Sequence, residues 1–533
     1  MKSEPLFWRP AILFFGVTFL AGLRFFGDYG PHWDEYNNRQ FSAIWGSYVE
    51  TAWRTGQLPE NEGVLLNEKP FFADRTNGIS HNLCHGPFWE LVLYFARKVF
   101  LPGASERGLL LMRHASNFLL FFTAVLVFYR TLARVFRDHA LGLLGAALLV
   151  LHPRIFADSF YNTVDLAFLS FYIFAFCTLL ELRSRGSVAS AFWHALTCAM
   201  LVATRAAGLI VPAMTLLAGA MAFVGRPRER GRTARVVAFY AAAFAALMVF
   251  FWPYLWHDPW PHFLEGVRGG VFSGVMPGWK PGPEYTLLWL MVTTPEVTIA
   301  FFAAGVAAIS VSRTRGDKPP GLDETELALA LFLAPIAAAA VLGTTLFNGW
   351  RHHYFVYPMF VVVCVFGFDG TRRAAASIRI PWMRRLTRAA VTGLAAAGLG
   401  GALLFIVRNH PYEYAYFNAL MRPVAVRPAE RAVDYWMLSH RQLLEYIAAH
   451  DRRKNIRVYF SMADHPAEQI ESLPAGIRER LTVASEAGSA DYVLQVYDLD
   501  KPYAEDPFYT IRVDGRVIGA VYRRRQPGLP APS

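Results

Sequence analysis

Residues 206–253 read AAGLIVPAMTLLAGAMAFVGRPRERGRTARVVAFYAAAFAALMVFFWP. Two apolar runs, 206–224 and 234–253, flank a connection carrying Arg226, Arg228, Arg230, Arg232 and Arg235. As a helix rising about 1.5 Å per residue, each run covers the roughly 30 Å of a bilayer's hydrocarbon core. The arginine-rich connection then marks the cytoplasmic side, where short loops gather Lys and Arg.

The same pattern repeats along the chain. Further apolar segments fall near 8–26, 108–128, 140–153, 163–181, 189–203, 286–311, 326–343, 352–368 and 389–407. The expectation is an α-helical polytopic membrane protein with about eleven transmembrane helices. Alternate connections hold Arg130, Arg134 and Arg137; Arg183 and Arg185; Arg313, Arg315 and Lys318; and Arg372, Arg373, Arg379, Arg384, Arg385 and Arg388. The opposite connections carry only Arg154, Arg205, Arg268, Lys280 and Arg351. This asymmetry puts the N-terminus in the cytoplasm and, with an odd number of spans, the C-terminus outside.

Composition agrees. Of 533 residues, 54% are hydrophobic and only 17% charged, too few charges for a soluble surface of this size. The net charge of +11 lies in loops rather than in an aromatic-interleaved patch, and no recognition motif accompanies it, so no nucleic-acid partner is expected. Cys84, Cys177, Cys198 and Cys364 form no CxxC pair and predict neither a disulfide framework nor a zinc knuckle. The opening apolar stretch carries Arg24 and lacks a small-x-small cleavage site, so it reads as a retained span rather than a signal peptide.

Two external regions are long. Loop 27–107 contains amphipathic stretches, such as Phe88 to Phe100, suited to helices lying in the membrane interface. Together with the spans it makes a module over 1–407. Residues 408–533 form a polar tail that reads as a small external α/β domain: helix 435–450, strand 456–460, helix 467–471, strand 492–497 and a strand pair over 509–522. No chemistry is expected of it.

The chemistry-bearing residues cluster at the outer face. Just after the first span comes Gly27-Asp28-Tyr29-Gly30-Pro31-His32-Trp33-Asp34-Glu35-Tyr36-Asn37. A partly desolvated carboxylate there can serve as general base toward a hydroxyl, although a solvated loop start would look the same. Asp165, in Tyr161-Asn162-Thr163-Val164-Asp165, opens a span from outside with Asp158 nearby; such a residue either faces a cavity or a partner, or caps its helix. Arg205 lies in a tight turn after Thr204, and Arg351-His352-His353-Tyr354 opens another span. Arginine presents a planar fork matched to phosphate oxygens, and snorkelling to headgroups is its ordinary alternative. His81 and His85 lie close together without an evident third metal ligand, which leaves a divalent metal open and no certain cofactor.

These landmarks resemble the bacterial branch of the GT-C polytopic glycosyltransferases, the family 39 group that includes protein O-mannosyltransferases and the aminoarabinose transferases of lipid A. The matching elements are Asp34-Glu35 after the first span, His85-Gly86-Pro87-Phe88 later in that loop, the Asp165 turn, Thr204-Arg205 and Gly349-Trp350-Arg351-His352, in order and on one side. The resemblance implies a bundle of transmembrane helices roofed by interfacial helices. It also implies a sugar donor on a polyprenyl phosphate and an acceptor glycan, lipid or protein, with the chain in a bacterial inner membrane. Asp34 would be the base of an inverting transfer, and Glu35 and Asp165 would orient it. Arg205 and Arg351 would hold the donor phosphate, and His85, Asp165 and His352 would also bind substrate. His85 stands where relatives often have a lysine in a Lys-Pro-Pro element, and a neutral imidazole compensates phosphate charge less well. A polytopic transporter is the main alternative, but no internal repeat or mid-span charge supports it. A non-catalytic envelope scaffold is the other, and transfer of a lipid-carried group other than a sugar would also use Asp34.

Overall fold

The computed structural model describes residues 8–58, 85–272, 282, 284–344, 346, 348–419, 433–463, 465–496 and 506–524. His81, Cys84 and Lys280 lie outside them. All eleven apolar segments are helical. Among the described residues, eight helices are long and apolar enough to cross a membrane: Glu106–Phe136, Asp165–Arg185, Ala206–Gly225, Pro227–Phe251, Glu296–Arg315, Leu322–Leu342, Arg351–Ala376 and Pro381–Asn409. A ninth is counted if His139–Val150 and Pro153–Tyr161 form one span. The remaining two, Arg9–Phe25 and Val188–Val202, are shorter. The chain is a multi-pass membrane protein.

One segment read as continuous is broken, and another ends in a sharp bend. The 140–153 run bends by 69° into Pro153–Tyr161. Pro153 has no N–H to continue the ladder, and the His152 ring accepts from the Ile155 N–H at 3.4 Å, starting a new helix. The 286–311 run stops at Thr293 and restarts at Glu296, with Pro295 at the break. The two breaks meet, with Thr294 Oγ1 3.5 Å from His152 Nε2, and Asn418 donates to the Thr294 carbonyl at 2.7 Å, so the irregular backbone is satisfied inside the protein.

Helices Asp165–Arg185 and Arg351–Ala376 form the centre and are largely buried, whereas Pro227–Phe251 and Pro381–Asn409 expose most of their surface. The central helix is gripped through glycine. A Cβ on Gly367 would fall 2.1 Å from the Phe301 carbonyl oxygen, and one on Gly305 would fall 2.2 Å from that of Val363. Small residues permit this backbone contact, which supplies the packing that apolar helices need when lipid is as apolar as they are.

The first loop supplies helices Glu35–Thr55 and Phe88–Phe100, which pack on each other; Ser42 Oγ donates to the Glu90 carbonyl at 2.7 Å. At the C-terminus, helix Ser439–His450 covers a five-stranded sheet. Its strands β1 (Ile456–Phe460), β2 (Leu481–Val483), β3 (Tyr492–Val496), β4 (Tyr509–Val513) and β5 (Arg516–Arg523) run in the order β2-β1-β3-β5-β4. β1 pairs in parallel with β2 and β3, and β5 is antiparallel to β3 and β4. The expected helix over 435–450 starts four residues later, because Asp434 accepts from the Leu438 and Ser439 N–H groups at 3.1 Å and holds 434–438 as its cap. The three-residue β2 was not foreseen.

This C-terminal region is docked on the first loop. Arg441 donates to the carbonyls of Gly27 (2.5 Å) and Tyr29 (3.0 Å), and Gln469 to that of Pro31 (3.1 Å). Arg39 is paired with Glu468, and the Trp33 N–H donates to the Trp436 carbonyl at 3.0 Å. Segment 27–39 is therefore clamped from above.

His410 ties the ends of the first and last long helices, with Nε2 3.1 Å from Asp28 and Nδ1 2.7 Å from Glu413. Burial disfavours its charge, but the hydrogen bonds and charges of Glu413 and Asp28 outweigh burial and raise its pKa. A raised histidine contributes stability that is fully present below its unfolded value, about 6.5, and is lost as pH rises through the folded value. The melting temperature of detergent-solubilised protein should fall as pH goes from about 6 to about 8. His410→Gln should flatten that slope; an unchanged slope would remove His410 from the account.

Candidate active site

Asp34 terminates the turn before helix Glu35–Thr55. It occupies the cap position, yet its side chain caps nothing. Its carboxylate is 32% exposed and lies 3.2 Å from Arg351 Nη1. The same Nη1 stands 3.4 Å from Asp165 Oδ2, and Asp165 Oδ1 is 2.7 Å from Arg205 Nη1. Asp34, Arg351, Asp165 and Arg205 thus form one row of alternating charge, assembled from four separate stretches of chain. Exposure differs along it: Asp165 is 1% exposed, Arg351 9% and Arg205 25%. The row presents a carboxylate at one end and a guanidinium at the other, bridged by a buried pair.

Asp165 is not a cap either. It is the first residue of its helix, favoured there by the helix dipole, and Asn162 holds it by donating from Nδ2 to Oδ2 at 3.0 Å. Arg351 and His352 begin a 3₁₀ turn, Arg351–Val356, that leads into the central span. His352 is half-buried, within electrostatic reach of Arg351 and Arg205. The next ring, His353, meets Thr286 Oγ1 at 2.6 Å.

The His85-Gly86-Pro87 element rests on the Arg205 turn. The Phe88 N–H donates to the Ala203 carbonyl at 3.0 Å, and a Cβ on Gly86 would lie 2.1 Å from that oxygen. Only glycine allows this approach. Gly86→Ala should therefore push the two motifs apart, at a cost of about 1–3 kcal/mol, and displace Arg205. The expected result is a raised KM for an anionic donor with a modest loss of melting temperature; unchanged kinetics would show that the two motifs need not touch.

Glu35, expected to orient Asp34, has its own carboxylate turned away from the arginine row. It is fully buried, with Oε1 2.7 Å from Arg113 Nε and Oε2 3.1 Å from His32 Nε2. Burial alone would raise its pKa, but Arg113, His32 and Arg39 hold it well below the usual carboxylate range. Arg113 also pairs with Glu90 (2.8 and 3.1 Å) and reaches Thr163 Oγ1 at 3.2 Å, next to the Asp165 turn. The Asp34 N–H donates to His32 Nδ1 at 3.2 Å, so the ring proton sits on Nε2, facing Glu35. Through His32, Glu35 braces the backbone at Asp34, and through Arg113 it ties that turn to the Asp165 turn.

Arg113, Glu90 and His32 were missed in the sequence reading. Arg154, counted among the outward basic residues, is fully buried, its guanidinium 4.6 Å from the Phe417 ring and its Nε 3.0 Å from the Tyr416 carbonyl. Among the described residues, no three His, Cys, Asp or Glu side chains gather as metal ligands. Asp34 and Asp165 are each balanced by arginine.

The site occupies one end of the bundle. Asp165 and Arg185 bound one helix, about 30 Å apart, and Arg351 and Arg372 lie at opposite ends of another. The arginine-rich loops are therefore at the far end from Asp34.

No family model matches the chain, and no curated protein matches it in sequence. Solved structures do. ArnT from Cupriavidus metallidurans in the apo state is 14% identical with a TM-score of 0.47, the alignment covering 96% of this chain and 97% of that one. The same protein bound to undecaprenyl phosphate has a TM-score of 0.46 over 98% and 99%. The Archaeoglobus fulgidus oligosaccharyltransferase in the apo form, also 14% identical, reaches 0.50 over 88% of this chain and 66% of its own. With its helical bundle and C-terminal sheet, the chain shares the fold of that oligosaccharyltransferase over 88% of its length.

Proposed function

We propose that the protein is a glycosyltransferase that moves a sugar from a polyprenyl phosphate to an acceptor hydroxyl on a glycan, lipid or protein. The observation that carries this reading is the row Asp34–Arg351–Asp165–Arg205, a partly exposed carboxylate beside arginines at one end of a membrane bundle. An oligosaccharyltransferase shares the fold, which supports the same class of chemistry. In the reaction, the acceptor oxygen attacks the anomeric carbon as its proton passes to Asp34. The bond from that carbon to the phosphate oxygen breaks, and the leaving polyprenyl phosphate gains negative charge. Arg351 and Arg205 neutralise that growing charge, and a single displacement inverts the anomeric centre. Asp165 keeps both guanidinium groups in place between turnovers. His85 and His352 line the donor side.

Sidedness follows from the arginine-rich loops at the opposite end, which support an outward-facing, periplasmic site in a bacterial inner membrane with the N-terminus inside. Residues 1–407 then form the catalytic module, and 408–533 a periplasmic domain that completes it.

The test is an assay of purified protein with a panel of polyprenyl-phosphate sugars, with the anomeric configuration of the product read by NMR. Release of one sugar with inversion is the expected result. Retention of configuration would exclude the single displacement, and a wild type that neither binds nor consumes any polyprenyl phosphate would sink the reading.

A further inference from the structure

Arg351 is shared by Asp34 and Asp165 through one nitrogen, so two carboxylates pull on the same edge of its guanidinium. The guanidinium carbon lies 4.7 Å from the ring centre of Trp436, a residue of the C-terminal cap segment. Trp436 is buried, with His32 at 5.1 Å edge-on and Tyr161 at 5.9 Å. Its Nε1–H has no hydrogen-bond acceptor among the described residues, so the ring is held by its faces and edges. Its carbonyl accepts from Trp33, the residue before Asp34.

The segment that delivers this ring is built to a fixed shape. Asp434 accepts from two backbone N–H groups and from the Tyr414 hydroxyl. Met437 adopts φ +60°, a left-handed conformation that costs a residue with a Cβ and persists only when its surroundings impose it. The strained residue immediately follows Trp436.

We propose that Trp436 is a positioning residue of the site, its indole face setting the plane of the Arg351 guanidinium between Asp34 and Asp165, so that the C-terminal region completes the phosphate-holding group. A cation over an indole face is attracted by the ring's negative quadrupole, most strongly where water is excluded. Without that face, Arg351 can rotate toward either carboxylate and lose its aim at the leaving phosphate. The inference rests on the transferase reading for the phosphate that Arg351 faces and for its turnover measurements.

The experiment is a double-mutant cycle in the full-length protein with Trp436→Met and Arg351→Lys, read both as kcat/KM with the best donor and as affinity for undecaprenyl phosphate alone. Lysine keeps the charge and can still lie over the ring, but it has no planar fork whose orientation the ring could set. Trp436→Met alone should lower kcat/KM by about tenfold to thirtyfold and weaken phosphate binding, and Trp436→Phe should stay within about threefold of wild type. On the Arg351→Lys background, Trp436→Met should cost less than about a further threefold. If the methionine variant does not fold, a ring-fluorinated tryptophan at 436 decides alone, because it removes the negative face at almost constant shape. Multiplicative losses, or a fluorinated protein that behaves as wild type, would overturn the proposal. A wild type that binds undecaprenyl phosphate with the coupling intact but turns over no donor would overturn the transferase reading and leave this one standing.

Discussion

Asp34→Asn should lower kcat by about a thousandfold or more, within reach of the largest effects seen for a lost general base. The amide keeps the shape and can still accept a hydrogen bond from Arg351, but it cannot take up the acceptor's proton. Asp34 is one-third exposed and caps nothing, so its loss should leave the fold intact. Removing its charge also frees Arg351 for the donor phosphate, so donor KM should stay constant or fall while kcat collapses. That division separates a base from a binding residue. Initial rates for wild type and variant at matched folding, checked by melting temperature, provide the measurement. A variant within about tenfold of wild type would remove Asp34 from the chemistry.

The largest structural effect is expected at Arg113. Arg113→Met strips the cation from between Glu35 and Glu90, which are both buried, and should destabilise the protein by about 3–5 kcal/mol, because His32 and Arg39 beside Glu35 and Thr163 beside Glu90 do not replace the guanidinium that the two share. Low yield and a sharply lower melting temperature are expected. Replacing all three charges together, as Glu35→Gln, Glu90→Gln and Arg113→Met, should recover part of that loss, since an unpaired buried charge costs more than an absent pair. If the triple variant is no better than the single one, packing rather than charge is the role of Arg113.

Much of the architecture is legible in the residues themselves. A run of about 20 apolar residues has few places to be other than a membrane-spanning helix, and arginines between runs mark one side. Hence each apolar segment is helical, although the 286–311 run is interrupted at Pro295, where hydropathy alone shows no break. Asp34, Asp165, Arg205 and Arg351 stood out for a related reason: a charge at the mouth of an apolar helix is costly and needs a purpose.

Glu35 shows where that reasoning stops. It is adjacent to Asp34, and the two carboxylates look alike as a pair. A helix starts between them, so one faces the arginine row while the other turns inward to Arg113. Arg113 and Glu90 sit inside helical sequence with nothing local to mark them. Trp436 was assigned to a tail without chemistry.

The sequence by itself determined the membrane helices, the gathering of arginines in alternate connections and a set of charged residues at helix ends, because hydrophobic length and charge asymmetry act locally and need no partner. Only the tertiary structure decided which of those charges meet. Asp34 and Arg351 are separated by 317 positions, and no local rule encodes their approach. That contact depends on glycine-tight helix packing and on a C-terminal segment folded back over the first loop, and both are properties of the whole chain.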